Sequence, residues 1–477
     1  MERWQLEPGE LGLLAVDADT FRPVLAHRPD QPLRPASTMK LLTTACALER
    51  LGPTRRFETV FRADRRPDAE GRIEGSLYVV GGGDPLLRGE DMWVALRELA
   101  ALGTREISGD LVVDGHLFGP PARPASWPPA RRSQPYEADQ QALALAWNSI
   151  EVIVLPGPAP GTPARIATFP LAAGVELAGR PRTGTSTSIT AGYQPGEKGR
   201  AGRILVQGTV AAGGPPYRRW LHLGQPLMVA GRALSELLPA AGIHLHGGLR
   251  RGRAPDTAPV LLRRTSPPLA EIVAATNKFS SNFAAEILLR LLAVRPGDPP
   301  ATTRAGLKVL EGCLDRWGID RSRLILADGS GLAPVDRLTP RSLVAVLQRA
   351  ERAADWGPEL LTSLPRAAED GTLRRRLASY RGRLRAKTGS LTGVSTLAGK
   401  LVLEDGRRLL FAILVQRKPP RPAPAALVDE LLAAVEEALP APGPENSQAV
   451  DDALPAPGDA HPAASRPAPG GPRRRVG

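Results

Sequence analysis

The sequence predicts a mixed α/β protein of the α+β kind, on three observations. Helical apolar periodicity recurs near 41–51, 91–102, 269–294, 301–317, 339–350 and 428–439. Short apolar runs separated by Gly and Pro fill residues 57–264, and strand-like runs stand at both ends of the chain. With 477 residues there is room for two or three packed cores, at about 150 residues each. Hydrophobic content of 42% and charged content of 23% are those of a globular protein. The longest apolar run, Leu409 to Val415, is far shorter than the roughly 18 residues of a membrane span and reads as a buried strand.

Taken in order, Leu11 to Asp17 and Thr20 to His27 predict a hairpin turning at Asp17-Ala18-Asp19. Leu41, Leu42, Ala45, Leu48 and Leu51 share one face of a helix that Gly52-Pro53 ends, which places Ser37 in its first turn. Strands at Phe57 to Arg62 and Gly75 to Val80 run into Gly81-Gly82-Gly83-Asp84-Pro85. That glycine run lacks the Gly-Lys-Ser/Thr ending of a phosphate loop and reads as a tight turn. A helix at Asp91 to Leu102 precedes a strand at Gly109 to Asp114, and the Pro- and Arg-rich segment Pro120 to Pro135 reads as an exposed loop. Strands at Glu151 to Leu155, Arg165 to Thr168, Thr185 to Thr190 and Ile204 to Val210 suggest a small all-β insert. After the later helices, Arg385 to Ser390, Ser395 to Leu403 and Arg408 to Val415 form a strand-rich end. From Pro440 onward Pro, Ala and Gly predominate, and a disordered tail is expected.

Net charge is +13 and the pI is near 10.4, a balance that favours anionic surroundings such as wall polymers or lipid headgroups. Nucleic acid is not among the expected partners, because aromatics are only 4% and no zinc-finger, helix-turn-helix or RNA-binding signature appears. His222, His244 and His246 lack a third ligand in a recognisable pattern, so no metal site is expected. Cys46 and Cys313, each inside an apolar helical pattern, read as two buried free thiols, with a disulfide as the alternative, and their count does not fix the compartment. Met1-Glu2-Arg3-Trp4-Gln5 shows no charged-then-apolar leader, so the expectation is either an intracellular protein or a start downstream of an export signal.

Three short motifs carry the chemistry. In Ser37-x-x-Lys40 the three-residue spacing stacks a hydroxyl and an amine on one helix face. The amine can take the serine proton only if burial and the positive helix end have driven off its own. Ser280-x-Asn282 offers a hydroxyl that can relay a proton and an amide that can hold both Lys40 and a substrate backbone. Lys387-Thr388-Gly389 brings a second positive charge, which helps keep one amine neutral, a hydroxyl for a terminal carboxylate, and a residue without a side chain at the strand edge. Each motif alone has a bland alternative: a solvated helix face, a helix cap, a strand-to-turn tripeptide.

In this order the motifs are those of penicillin-binding proteins and class A β-lactamases. The chain resembles the D-alanyl-D-alanine carboxypeptidases and endopeptidases of the class C low-molecular-mass penicillin-binding proteins. Further matching blocks are Val79 to Pro85, Asn277-Lys278, Ala285-Glu286, Asp328-Gly329-Ser330-Gly331-Leu332, Asp370 to Leu373 and Lys387 to Gly393. The interval from Ser37 to Ser280 is more than twice that from Ser280 to Lys387, as in that family and unlike a simple β-lactamase.

The resemblance implies a penicillin-binding-protein/serine β-lactamase-like transpeptidase domain of residues 1–56 and 265–439. Its antiparallel sheet would join the two N-terminal strands to the three C-terminal ones, flanked by helices. Residues 57–264 would be a strand-rich insertion of two subdomains, with an inner all-β part at about 150–212, and 440–477 the tail. Ser37, Lys40, Ser280, Asn282 and Lys387 would be catalytic and Thr388, Gly389 and Ser390 substrate-binding, with the N–H groups of Ser37 and Ser390 as oxyanion hole. No metal or organic cofactor is implied. Expected partners are peptidoglycan stem peptides and, as covalent inhibitors, β-lactams, with possible peripheral attachment to envelope surfaces and an extracytoplasmic location. A wall-binding scaffold of the same fold, or a β-lactamase or esterase-like serine hydrolase, are the rival readings.

Overall fold

The computed structural model describes residues 4–129, 134–169, 175–194, 202–417 and 424–439. The expected tail at 440–477 lies outside the described residues. One antiparallel sheet joins the two ends of the chain, in the strand order Leu384–Leu391, Val394–Val402, Arg408–Gln416, Leu11–Asp17, Pro23–His27. This is the sheet the resemblance implies. Leu409 to Val415 has no polar face, because Leu410, Ala412 and Leu414 enter the main core while alternate residues point to the other side. Helix Pro340–Arg352 packs on this strand, and helix Ala425–Glu437 also contacts it.

Helix Lys40–Leu51 is the hub of that core, touched by helices Leu269–Lys278, Asn282–Leu291, Thr303–Arg316, Pro340–Arg352 and Gly357–Ser363. Every residue from Lys40 to Leu48 is buried, so the one-faced reading gives way to a helix enclosed all round. Cys46 and Cys313 are not free thiols. They form a disulfide between this helix and Thr303–Arg316. Apolar spacing places each cysteine inward but says nothing about which buried neighbour it meets. The bond closes a loop across a sequence separation of 267. The Cys46→Ala/Cys313→Ala double variant should therefore lose about 3–5 kcal/mol of unfolding free energy. An unchanged denaturant midpoint would contradict the cross-link.

Between the two halves of that core, residues 57–264 build further sheets. One has the order Leu249–Arg251, Leu111–Asp114, Leu77–Val80, Glu58–Ala63, Val260–Thr265, and is covered by two mutually packed helices, Gly89–Ala101 and Pro226–Ala241. The second helix departs from the strand-rich expectation. Pro226 opens it, Gly242 closes it at φ +86°, and Gly231 and Pro239 inside it obscure its periodicity. Beyond it lie Ser149–Leu155 paired with Arg165–Phe169 and Tyr217–His222, and Gly202–Ala211 paired with three short strands. Gly81 and Gly82 are not a tight turn, which comes later, at Pro85-Leu86. They allow backbones to cross: a methyl at Gly82 would lie 2.0 Å from Glu58 O, and one at Gly81 2.4 Å from Ala142 O. Among the described residues no helix is long and apolar enough to cross a membrane.

Candidate active site

Ser37 lies in a single 3-10 turn, Ala36–Met39, that runs straight into the buried helix at Lys40. The three-residue offset puts Lys40 Nζ 2.9 Å from Ser37 Oγ. Lys40 Nζ also donates to Asn282 Oδ1 (2.7 Å) and to Ser330 O (2.8 Å). These two acceptors fix two N–H directions, and the position facing Ser37 is left as a donor if the amine is charged and an acceptor if it is not. Lys40 is fully buried, and burial pulls its amine down to about 7 against the opposing pull of Asp328 and Glu286. A base that titrates near neutrality is thus held on the serine hydroxyl.

Ser280 falls between helices Leu269–Lys278 and Asn282–Leu291, with φ +55°. The helix-cap alternative belongs to its neighbour: Ser281 Oγ accepts from Ala284 N (3.2 Å), leaving Ser280 to face Lys387. Lys387 Nζ donates to Ser280 Oγ (3.0 Å) and to Thr388 O (2.9 Å). Burial, and then the neighbouring Lys40 charge, hold this amine well below the ordinary lysine range. Two adjacent lysines favour one neutral amine, as the sequence predicts, without fixing which one. Asp328 and Glu286 oppose the downward shift at Lys40, whereas at Lys387 burial and the Lys40 charge act in the same direction. Asn282 Nδ2 donates to Tyr136 O (3.1 Å), so one of its donors is engaged before any substrate arrives.

Strand Leu384–Leu391 completes the groove. Thr388 Oγ1 lies 2.6 Å from Thr372 Oγ1, and Thr396 Oγ1 on the next strand donates to Pro35 O (2.9 Å). Ser390 is exposed on the same strand, opposite Ser395. Gly389 is where this strand closes on Ser37: a methyl there would sit 2.2 Å from Thr396 Oγ1 and 2.9 Å from Ser37 N and Pro35 O. Gly389→Ala should push the strand off the Ser37 turn and slow acylation by about 10²-fold, the usual effect of an ångström-scale misplacement. Stopped-flow labelling with a chromogenic cephalosporin reads the change, and a rate within twofold of the parent would refute the close approach.

The eight residues singled out from sequence are thus brought together from the Ser37 turn, the Ser280 turn and strand Leu384–Leu391. Ser330 O, Thr372 and Tyr136 O were not foreseen as contacts. Ser330 and Thr372 lay inside blocks noted only for resemblance, and a carbonyl acceptor such as that of Ser330 or Tyr136 leaves no trace in residue type. The segment from Pro120 is not simply an exposed loop: Trp127 is buried with Nε1 donating to Asp328 Oδ2 (2.7 Å), and Ser126 Oγ donates to Ala327 O (3.0 Å). Pro and Arg set its irregular path, and one tryptophan fastens it. Residues 130–133 lie outside the described residues. His222 is buried with Nδ1 3.3 Å from Asn148 O, and among the described residues no group of three or more His, Cys, Asp or Glu could hold a metal ion.

A family description, D-Ala-D-Ala carboxypeptidase 3 (S13), matches residues 2–434. The chain belongs to the S13 family. This S13 peptidase is 32% identical over 459 residues to the D-alanyl-D-alanine carboxypeptidase of Actinomadura sp. (strain R39), covering 93% of this chain and 84% of that one. It is 26% identical over 425 residues to the D-alanyl-D-alanine carboxypeptidase DacB of Haemophilus influenzae, covering 85% of each. The crystal structure of penicillin binding protein 4 from Haemophilus influenzae shares its fold, with a TM-score of 0.78 at 24% identity over 90% of this chain and 97% of that one. The S13 peptidase is accordingly a serine-type D-alanyl-D-alanine carboxypeptidase, a hydrolase.

Proposed function

We propose that this peptidase cleaves peptidoglycan stem peptides ending in D-Ala-D-Ala, and D-Ala cross-links, through an acyl-enzyme on Ser37. The observation that carries the reading is the Lys40 amine, buried and held by two acceptors with its third position on Ser37 Oγ. In this reading Ser37 Oγ bonds to the carbonyl carbon of the penultimate D-Ala as its proton passes to Lys40. The C–N bond breaks, and the terminal D-Ala leaves as an amine after taking a proton relayed through Ser280. Water then hydrolyses the ester, with Lys40 again as base. The N–H groups of Ser37 and Ser390 take the oxyanion. Thr388 and Lys387 receive the terminal carboxylate, whose charge compensates a protonated Lys387. Asn282 orients Lys40, and Gly389 admits the substrate backbone to the strand edge.

A β-lactam presents an amide and a carboxylate of similar placement and would acylate the same serine. One solved structure of penicillin binding protein 4 from Haemophilus influenzae is complexed with a β-lactam. Endopeptidase action on the same site is supported by fold likeness to a Bdellovibrio bacteriovorus peptidoglycan endopeptidase, with a TM-score of 0.53 at 16% identity. We further propose that residues 1–56 and 265–439 form the catalytic domain and 57–264 the insertion. Work outside the cytoplasm fits the Cys46–Cys313 disulfide, since such bonds persist in oxidising compartments. The +13 charge suits peripheral attachment to anionic envelope surfaces.

The test is incubation with a fluorescent penicillin and, separately, with a D-Ala-D-Ala pentapeptide, followed by peptide mapping and D-Ala quantification. Label on Ser37 together with D-Ala release supports the reading. Label without release favours a scaffold, and rapid penicillin turnover without release favours a β-lactamase.

A further inference from the structure

Three carboxyls lie fully buried behind the turn whose carbonyl holds Lys40: Glu286, Asp328 and Asp336. They are not equivalent. Asp328 accepts four hydrogen bonds, from Ser330 N (2.9 Å), Gly331 N (2.6 Å), Ala333 N (2.7 Å) and Trp127 Nε1 (2.7 Å). Asp336 accepts only from Ala327 N (2.7 Å), through Oδ1. Burial and then the Asp328 charge push it up to about 10, so it keeps its proton.

Glu286 is intermediate. Its Oε1 accepts from Gly329 N (2.9 Å), the residue before the Ser330 carbonyl that Lys40 grips, while Oε2 is buried outside hydrogen-bond geometry, with the Ser330 side chain as the neighbouring donor that opposes its upward shift. Burial and then Asp328 push its carboxyl up to about 8, close to the value at which Lys40 titrates. Asp336 also faces it, as does Arg290, four residues on along the same helix. That guanidinium is itself buried and gives its Nη1 to Gly119 O (3.0 Å).

We propose that Glu286 is a positioning residue that shares a single proton with Lys40, so that Lys40 is a free amine when Glu286 is protonated. It touches no reacting atom. It acts through its charge on Lys40 and through the Gly329-Ser330 peptide that aims the Lys40 amine. The pair titrates as a unit, and its apparent values belong to both groups. An ionised Glu286 favours protonated Lys40, and a protonated Glu286 releases Lys40 to accept the Ser37 proton. Because one proton serves both groups, a free amine can stand beside an uncharged buried carboxyl near neutrality, the proton exchanging through solvent rather than along a direct bond.

The inference rests on Lys40 being the base, and its test separates the two claims. Glu286→Gln keeps an acceptor for Gly329 N but is always neutral. With the anion removed, Lys40 loses its proton more readily, so the acid limb of the penicillin-acylation rate should move to lower pH by at least about half a unit. Glu286→Asp, which still titrates, should restore the parent midpoint. A purely structural role would lower the rate or the melting temperature and leave the midpoint in place, and an unmoved midpoint in folded Glu286→Gln overturns the proposal. Should that variant not fold, ¹³C NMR of glutamate-labelled parent protein decides: one glutamate carboxyl should titrate near neutrality alongside the acylation rate, and none titrating there overturns it. Loss of acylation in Lys40→Met with no midpoint shift in Glu286→Gln sinks this inference alone, whereas acylation surviving Lys40→Met sinks the functional reading beneath it.

Discussion

Ser37→Ala should give a folded protein that takes no label from fluorescent penicillin and releases D-Ala at least about 10⁴-fold more slowly than the parent. The substitution removes the hydroxyl bonded to the Lys40 amine, and with it the proposed route through a covalent intermediate. The N–H groups of Ser37 and Ser390 proposed to take the oxyanion remain, so a slow direct hydrolysis by water would persist. Stability should change little, because Ser37 is only half-buried and its side chain makes one hydrogen bond, to a lysine that keeps two other acceptors. A melting temperature within a few degrees of the parent is expected. D-Ala release above a few per cent of the parental rate, or a penicillin adduct mapped to any other residue, would refute Ser37 as nucleophile.

Lys40→Met should cost nearly as much in acylation, about 10³–10⁴-fold, because it withdraws the base while keeping a straight side chain of similar bulk. Its effect on stability is a balance. Asn282 Oδ1 and Ser330 O lose their donor inside the core, a loss of about 1–3 kcal/mol for each group left without a partner. Against that, a buried amine whose charged form is disfavoured is replaced by an apolar side chain. Net destabilisation of a few kcal/mol or less is expected in denaturant titration. The pH profile supplies the sharper measurement. In the parent, acylation should rise with pH through about 7, because below that value Lys40 carries a proton and cannot accept the one on Ser37. The residual rate of Lys40→Met should lack that limb, and a limb at the same midpoint in both proteins would transfer the titration to another group.

Much of the fold was legible because it is written in local periodicity. The Ser37-x-x-Lys40 spacing needs only one helical turn to become a contact, and the apolar runs at both chain ends were enough to suggest strands, which the family resemblance joined in one sheet. Where periodicity is interrupted the legibility falls: helix Pro226–Ala241 was hidden by its internal Gly231 and Pro239. The hydroxyls and amines of the site were found because residue type and order announce them. Backbone carbonyls and hydrogen-bonded pairs such as Thr388 with Thr372 were not, since nothing in residue type shows which strand passes beside which turn.

The sequence by itself determined the Ser37–Lys40 pair and the order of the three motifs. It also determined the apolar runs that bury the hub helix and the last strand. Only the tertiary structure decided that Lys40 meets Asn282 and the Ser330 carbonyl, that Cys46 bonds to Cys313, that Trp127 closes on Asp328, and that Glu286 stands behind the site, bonded to Gly329 N. The reason is one of range: neighbours within a turn of helix or along a strand follow from backbone geometry, whereas partners hundreds of residues apart are fixed by how whole elements pack.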